Sequence, residues 1–194
     1  MKRILTLFAV GSLASACAAM PDVAPAGAFQ SEAGFAITLE RDWSRWPENL
    51  NYATAGDFLT QDGVLLNRVH LVTLEDGEPL VRAARNAEVP RFSTASTEFE
   101  IVDMITSSLM MVGYNSVEAN EVRPASIDGV DGLRFGLEGR WENGLRVKGD
   151  AAAVVVDGEL HMVLFMAPEL HYYDALSAEV DGIMNSIDLE TVGS

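Results

Sequence analysis

The chain has 194 residues, 48% of them hydrophobic, enough for one domain with a sizeable core and too apolar for general disorder. Its 13 Lys and Arg stand against 29 Asp and Glu, and a net charge of −16 repels phosphate backbones, which disfavours nucleic-acid binding. One cysteine excludes an internal disulfide, and three histidines without close paired spacing give no zinc motif.

Lys2-Arg3, the apolar run Ile4 to Leu13 and the small residues before Cys17 have the three parts of a secretory signal, so residues 1–16 are expected to be removed. The apolar run is too short to span a bilayer. Removal of Lys2 and Arg3 takes the charge to 11 − 29 = −18. Leu13-Ala-Ser-Ala-Cys17 resembles the lipobox of bacterial lipoproteins, although Ala14 stands where a leucine is most common. The resemblance implies a diacylglyceryl group on Cys17, and Ala18 after the cysteine implies outer-membrane sorting on the periplasmic face. Ala14 and Ala16 also satisfy the ordinary Ala-x-Ala rule, which cuts the same bond and leaves Cys17 bare. Residues 17–32, rich in Ala, Pro and Gly and without periodicity, read as a flexible tether that holds the domain off the membrane.

A single domain is expected over 33–190. Phe35, Ile37 and Leu39 alternate as a first strand, and Asp42 to Pro47 reads as a turn carrying Trp43 and Trp46. Asp57 to Gln61, the turn Asp62-Gly63 and Val64 to Leu74 form a hairpin-like unit. Glu75 to Ser96 has no sustained period and reads as a surface excursion or a poorly patterned helix. Thr97-Glu-Phe-Glu100 is a capping box that starts a helix, with Phe99, Val102, Ile105, Leu109 and Val112 as its apolar stripe, widened by Met104, Met110 and Met111. Gly113 suits its end. Val117 to Val122 is a short strand and Arg123 to Ile127 an extended edge segment.

The clearest patterning is Val130 to Ile187. Leu133, Phe135, Leu137 and Trp141 alternate with polar residues, Asn143-Gly144 suits a type I′ turn, and Leu145 to Val156 returns. The apolar run Ala151 to Val156 calls for cover on both faces. After Asp157-Gly158 a third strand runs from Glu159 to Ala167, closed by Pro168. Tyr172, Tyr173, Leu176, Val180, Ile183, Met184 and Ile187 then recur at helical spacing.

The strand from Phe35 closed by Asp42-Trp43, the middle helix, Ile127-Asp-Gly-Val-Asp-Gly-Leu-Arg-Phe135, the two hairpins and a last helix ending in Ser186-Ile187 resemble the PsbP-like superfamily. That family includes extrinsic photosystem subunits and bacterial lipoproteins. The resemblance implies an α+β fold, an antiparallel β-sheet with helices packed on it as an α/β/α sandwich, in members that mostly bind or assemble. It carries over no active-site residue.

No nucleophile elbow is present, and Asp128/Asp131 and Glu98/Glu100 fit a turn and a helix N-terminus better than acid–base chemistry. No cofactor, metal or catalytic residue is implied. The function expected is a lipid-anchored, non-catalytic binding or assembly module of the bacterial envelope, its partners the membrane and an envelope protein. The alternatives are a periplasmic carrier of a small apolar ligand, in a sheet–helix cleft lined by aromatics and by methionines such as Met110, Met111, Met162 and Met166, and an envelope hydrolase. Trp43, Trp46, Tyr172 and Tyr173 are the aromatic candidates for an interface.

Overall fold

The computed structural model describes residues 20–47, 53, 56–82 and 87–189. The signal segment and Cys17 lie outside the described residues. Eight strands form one antiparallel sheet in the order β1 (Asp22–Ala24), β4 (Trp43–Arg45), β5 (Asp57–Thr60), β6 (Arg68–Leu74), β10 (Glu159–Pro168), β9 (Arg146–Val156), β8 (Val130–Trp141) and β7 (Tyr114–Ile127). Beside it β2 (Gly27–Gln30) and β3 (Ala36–Leu39) pair as a two-stranded ribbon. The fold is α+β, as the patterning implies.

Sequence alternation sets the layers. Along β10, Leu160, Met162, Leu164 and Met166 enter the core beneath α1 (Glu98–Met110). Val163, Phe165 and Ala167 enter the opposite core beneath α2 (Asp174–Asn185) and the ribbon. A sheet covered on both faces needs apolar residues at consecutive positions, which is why Ala151, Ala152, Ala153 and Val154 on β9 are all buried. Each large side chain so buried contributes about 1.5–3 kcal/mol. Gly149 marks where this packing is tightest, since a Cβ there would lie 2.1 Å from the Phe165 carbonyl oxygen.

The capping box is present. Thr97 Oγ1 accepts from Glu100 N at 3.3 Å, and Glu100 Oε2 accepts from Thr97 N at 2.7 Å. Thr97→Ala should cost about 1 kcal/mol by urea denaturation; no measurable change would show that the turn 93–97 holds the helix start by itself. The helix is rotated from the expected stripe. Ile101, Val102, Met104, Ile105 and Leu109 are buried while Phe99 is 78% exposed.

Four expectations change. The proposed tether is folded from Asp22, because Ala24 and Phe29 bury their side chains in the α2-side core while β1 pairs with β4 and β2 with β3. The turn Asp42–Pro47 holds a strand, β4. The β8–β9 connection is not type I′: Gly144 alone has positive φ, at +87°, and its N–H donates to the Trp141 carbonyl at 2.8 Å. Asp128-Gly129, with φ of +48° and +77°, and Asp157-Gly158, with φ of +51° and +87°, are two-residue turns of that kind. Finally, Val117–Ile127 belongs to one long edge strand, β7, whose register slips between Asn120 and Arg123 at Glu121, φ +50°.

Candidate functional site

One end of the sheet gathers several of the exposed apolar side chains among the described residues. The β5–β6 loop, the β8–β9 turn, the end of α1 and the exit of β10 all lie there, because Arg68 pairs with Met166, Pro168 with Val147, and Tyr114 with Trp141. Leu65, Leu145 and Leu170 are exposed on three of these segments, and Met110 and Met111 end the helix beside them. Sequence alternation had placed Leu65 in a strand. Instead Asn67 closes the loop, accepting from Gln61 N at 2.7 Å and donating to Asp62 at 2.8 Å, and this turns Leu65 outward.

Trp141 forms the floor. Its ring stacks on Tyr114 at 4.3 Å and carries the Arg68 guanidinium at 5.2 Å. Leu65, Trp141 and Pro168 share one shallow depression above it.

Past Pro168 the chain makes a wide turn over Glu169–Tyr173, where His171 has φ +76° and ψ −54°. A non-glycine residue so placed costs on the order of 1–3 kcal/mol, and the turn lifts Leu170 to 84% exposure. Glu169 anchors the turn by accepting from Arg146 at 2.8 Å and Lys148 at 3.3 Å. Tyr173 closes it, stacking on Phe165 at 5.8 Å and donating its hydroxyl to Asp150 at 3.0 Å. Burial pushes the Tyr173 phenol well above its ordinary value and also raises the Asp150 carboxyl, so the phenol stays a neutral donor.

The four aromatic candidates do not converge. Trp43 is 2% exposed, a core residue whose indole N–H donates to Glu179 at 3.0 Å. Its ring is spent on holding β4 to α2, which corrects its place among the interface candidates. Trp46 is half-buried at the opposite side of the molecule, in a hollow of about 290 Å3 with Met20, Arg45 and Pro47. Tyr172 packs half-buried on the α2-side core, its ring edge-on to His171 at 5.1 Å. Only Tyr172 and Tyr173 adjoin the apolar end.

The histidines stand apart. His70 is buried against Phe58, their rings stacked at 4.9 Å, His161 is buried on the other face against Phe35 and Thr73, and His171 is exposed. Among the described residues no three His, Asp or Glu side chains converge to hold a metal. Asp128 Oδ2 accepts from Leu189 N at 2.9 Å, and Glu100 belongs to the helix cap. Met162 and Met166, candidates to line a ligand cleft, are closed into the α1-side core. No helix among the described residues is long and apolar enough to cross a membrane.

The chain resembles the solution structure of cyanobacterial PsbP (CyanoP) from Synechocystis sp. PCC 6803 with a TM-score of 0.54, over 92% of this chain and 97% of that one. The fold is PsbP-like. At 11% identity the likeness carries the arrangement of strands and helices alone. No protein-family model matches the chain, and no curated protein is significantly similar to it.

Proposed function

We propose that the chain is an exported, lipid-anchored, non-catalytic binding or assembly module of the bacterial cell envelope, held at Cys17 in the outer membrane and facing the periplasm. The observation that carries this reading is the set of leucines Leu65, Leu145 and Leu170, exposed on three loops at one end of a strongly acidic domain. Scattered apolar residues are ordinary on surfaces; several gathered on loops that a rigid sheet holds together mark an interaction site. Arg68 shares the depression with Leu65, and a neighbouring hollow holds Arg140, Arg146 and Lys148 together with Glu118, Glu138 and Glu169. The partner that fits is an envelope protein presenting apolar anchors.

The carrier reading needs a sheet–helix cleft, and Met162 and Met166 are closed into the core while Met110 and Met111 stand exposed at the end of α1. Photo-crosslinking from position 65 or 170 in the native envelope should recover one near-stoichiometric envelope protein. Leu65→Glu with Leu170→Glu should weaken that capture about tenfold or more. Both sites are exposed, so each change should alter stability by less than about 0.5 kcal/mol. Recovery of a lipid or metabolite and no protein would overturn assembly in favour of the carrier.

A further inference from the structure

The folded chain begins only three residues beyond the cysteine to which the lipid is assigned. Met20 leads into β1, and Ala18 and Ala19 alone separate it from Cys17. Three residues of backbone reach at most about 11 Å. The glycerol of a diacylglyceryl group sits where acyl chains meet headgroups, and the headgroup layer of one leaflet is about 5–8 Å thick. With Cys17 held there, Met20 lies within or just above the headgroups. No standoff remains.

The side chains first brought to that surface are unpacked and apolar: Met20 is 81% exposed and Val23 68%. Trp46 and Pro47, both half-buried, line one hollow with Met20. Trp46 backs that hollow with its ring, its indole N–H buried. β1 is also the outermost strand of the sheet, so no other strand stands between it and the bilayer.

We infer that the β1 edge, through Met20, Val23 and Trp46, is a bilayer-docking edge that seats the domain directly on the phospholipid surface. This rests on the lipidation of Cys17 proposed above. The occupant is phospholipid because the acyl chains hold that surface within about 11 Å of Met20 at all times, a gap too narrow for a folded partner. Charge does not drive the contact, since the mature chain carries 11 − 29 = −18 and Asp22 and Glu32 line the same hollow. Apolar insertion does. The sheet then stands on its β1 edge, and seven inter-strand steps place β7 about 30 Å farther out. The apolar end with Leu65 and Leu170 faces sideways along the membrane, where a second membrane-bound protein can meet it.

The test uses full-length protein processed in a bacterial envelope, with the acyl chains on Cys17 first verified by intact mass. An environment-sensitive dye is attached to Val23→Cys or, separately, to Glu118→Cys on β7, and each protein is placed in phosphatidylethanolamine–phosphatidylglycerol vesicles. The dye at 23 is expected to shift to the blue and to be quenched by nitroxides on lipid headgroups; the dye at 118 should do neither. Adding Met20→Glu should reduce the quenching at 23 severalfold with the acyl mass unchanged. Equal, water-like emission from both positions on acylated protein overturns the docking edge and leaves the anchor standing. A mature mass without acyl chains overturns the anchor, and the docking edge with it.

Discussion

Acidification from pH 7 to pH 4 should destabilise this protein steeply, with the buried His70 as the largest single cause. Burial and the nearby Arg68 charge bring the His70 imidazole from its ordinary value of 6.5 down to about 3. The unfolded chain therefore takes up a proton that the folded chain refuses. The contribution is fully present above about pH 6.5 and is lost progressively as pH falls toward 3, to a total of roughly 5 kcal/mol. His161, also lowered chiefly by burial, acts in the same direction. Asp150 opposes them, because burial raises its carboxyl and favours the protonated folded form at low pH. Denaturant titrations at several pH values should show stability falling by about 1 kcal/mol per pH unit below 6. In His70→Leu the level will change for packing reasons, but the slope is expected to flatten by most of that amount. An unchanged slope would assign the acid sensitivity to the carboxylates instead.

The two buried histidines also explain what the sequence leaves illegible about chemistry. Three histidines in a chain read as open candidates until the sheet assigns faces to them. Strand alternation puts His70 beneath the α1 side and His161 beneath the α2 side, so the sheet itself separates them. Neither position is marked by anything local.

Legibility followed how strongly one face of each element is buried. β8, β9 and β10 were readable because nearly every position on their covered faces is apolar, His161 being a buried polar exception. β7 is an edge strand whose residues are mostly exposed, so its polar stretch around Glu121 and its Pro124 disguised one strand as two segments. β1 and β2 were hidden by Pro21, Pro25 and Gly27, although Pro and Gly are tolerated at edges and turns, which is what these strands occupy. Their hydrophobic content is little more than Ala24 and Phe29 inside, Val23 outside. Leu65 and Leu170 were missed for the converse reason. A leucine in a polar loop looks like a packing residue, and only the Asn67 loop closure and the strained His171 turn show that each points outward.

Asp57 is expected to be the most sensitive polar residue in the domain. Its carboxylate is fully shielded from solvent and accepts from Ser31 Oγ at 2.7 Å, from the Glu32 backbone N–H at 2.7 Å and from Arg45 Nε at 2.5 Å. All three partners are donors, so nothing but an anion with two acceptor oxygens satisfies them. Asp57→Ala strands the Ser31 hydroxyl and the Glu32 N–H, while Arg45, partly exposed, keeps its pair with Glu32, so the expected cost is about 2–3 kcal/mol. Asp57→Asn should recover only part of that, because the amide nitrogen would face donors. The loss should also be local first. Ser31 and Glu32 begin the turn that joins β2 to β3, and that ribbon lies outside the main sheet, attached through Asp57 and through Ala36 and its two backbone bonds with Asp188 at 2.9 Å. Hydrogen exchange should therefore lose protection at Phe29 and Ile37 before β9 and β10 respond. A drop in stability under about 1 kcal/mol, or uniform loss of protection across the sheet, would show that apolar contacts and bonds such as the Ala36–Asp188 pair hold the β2–β3 ribbon without Asp57.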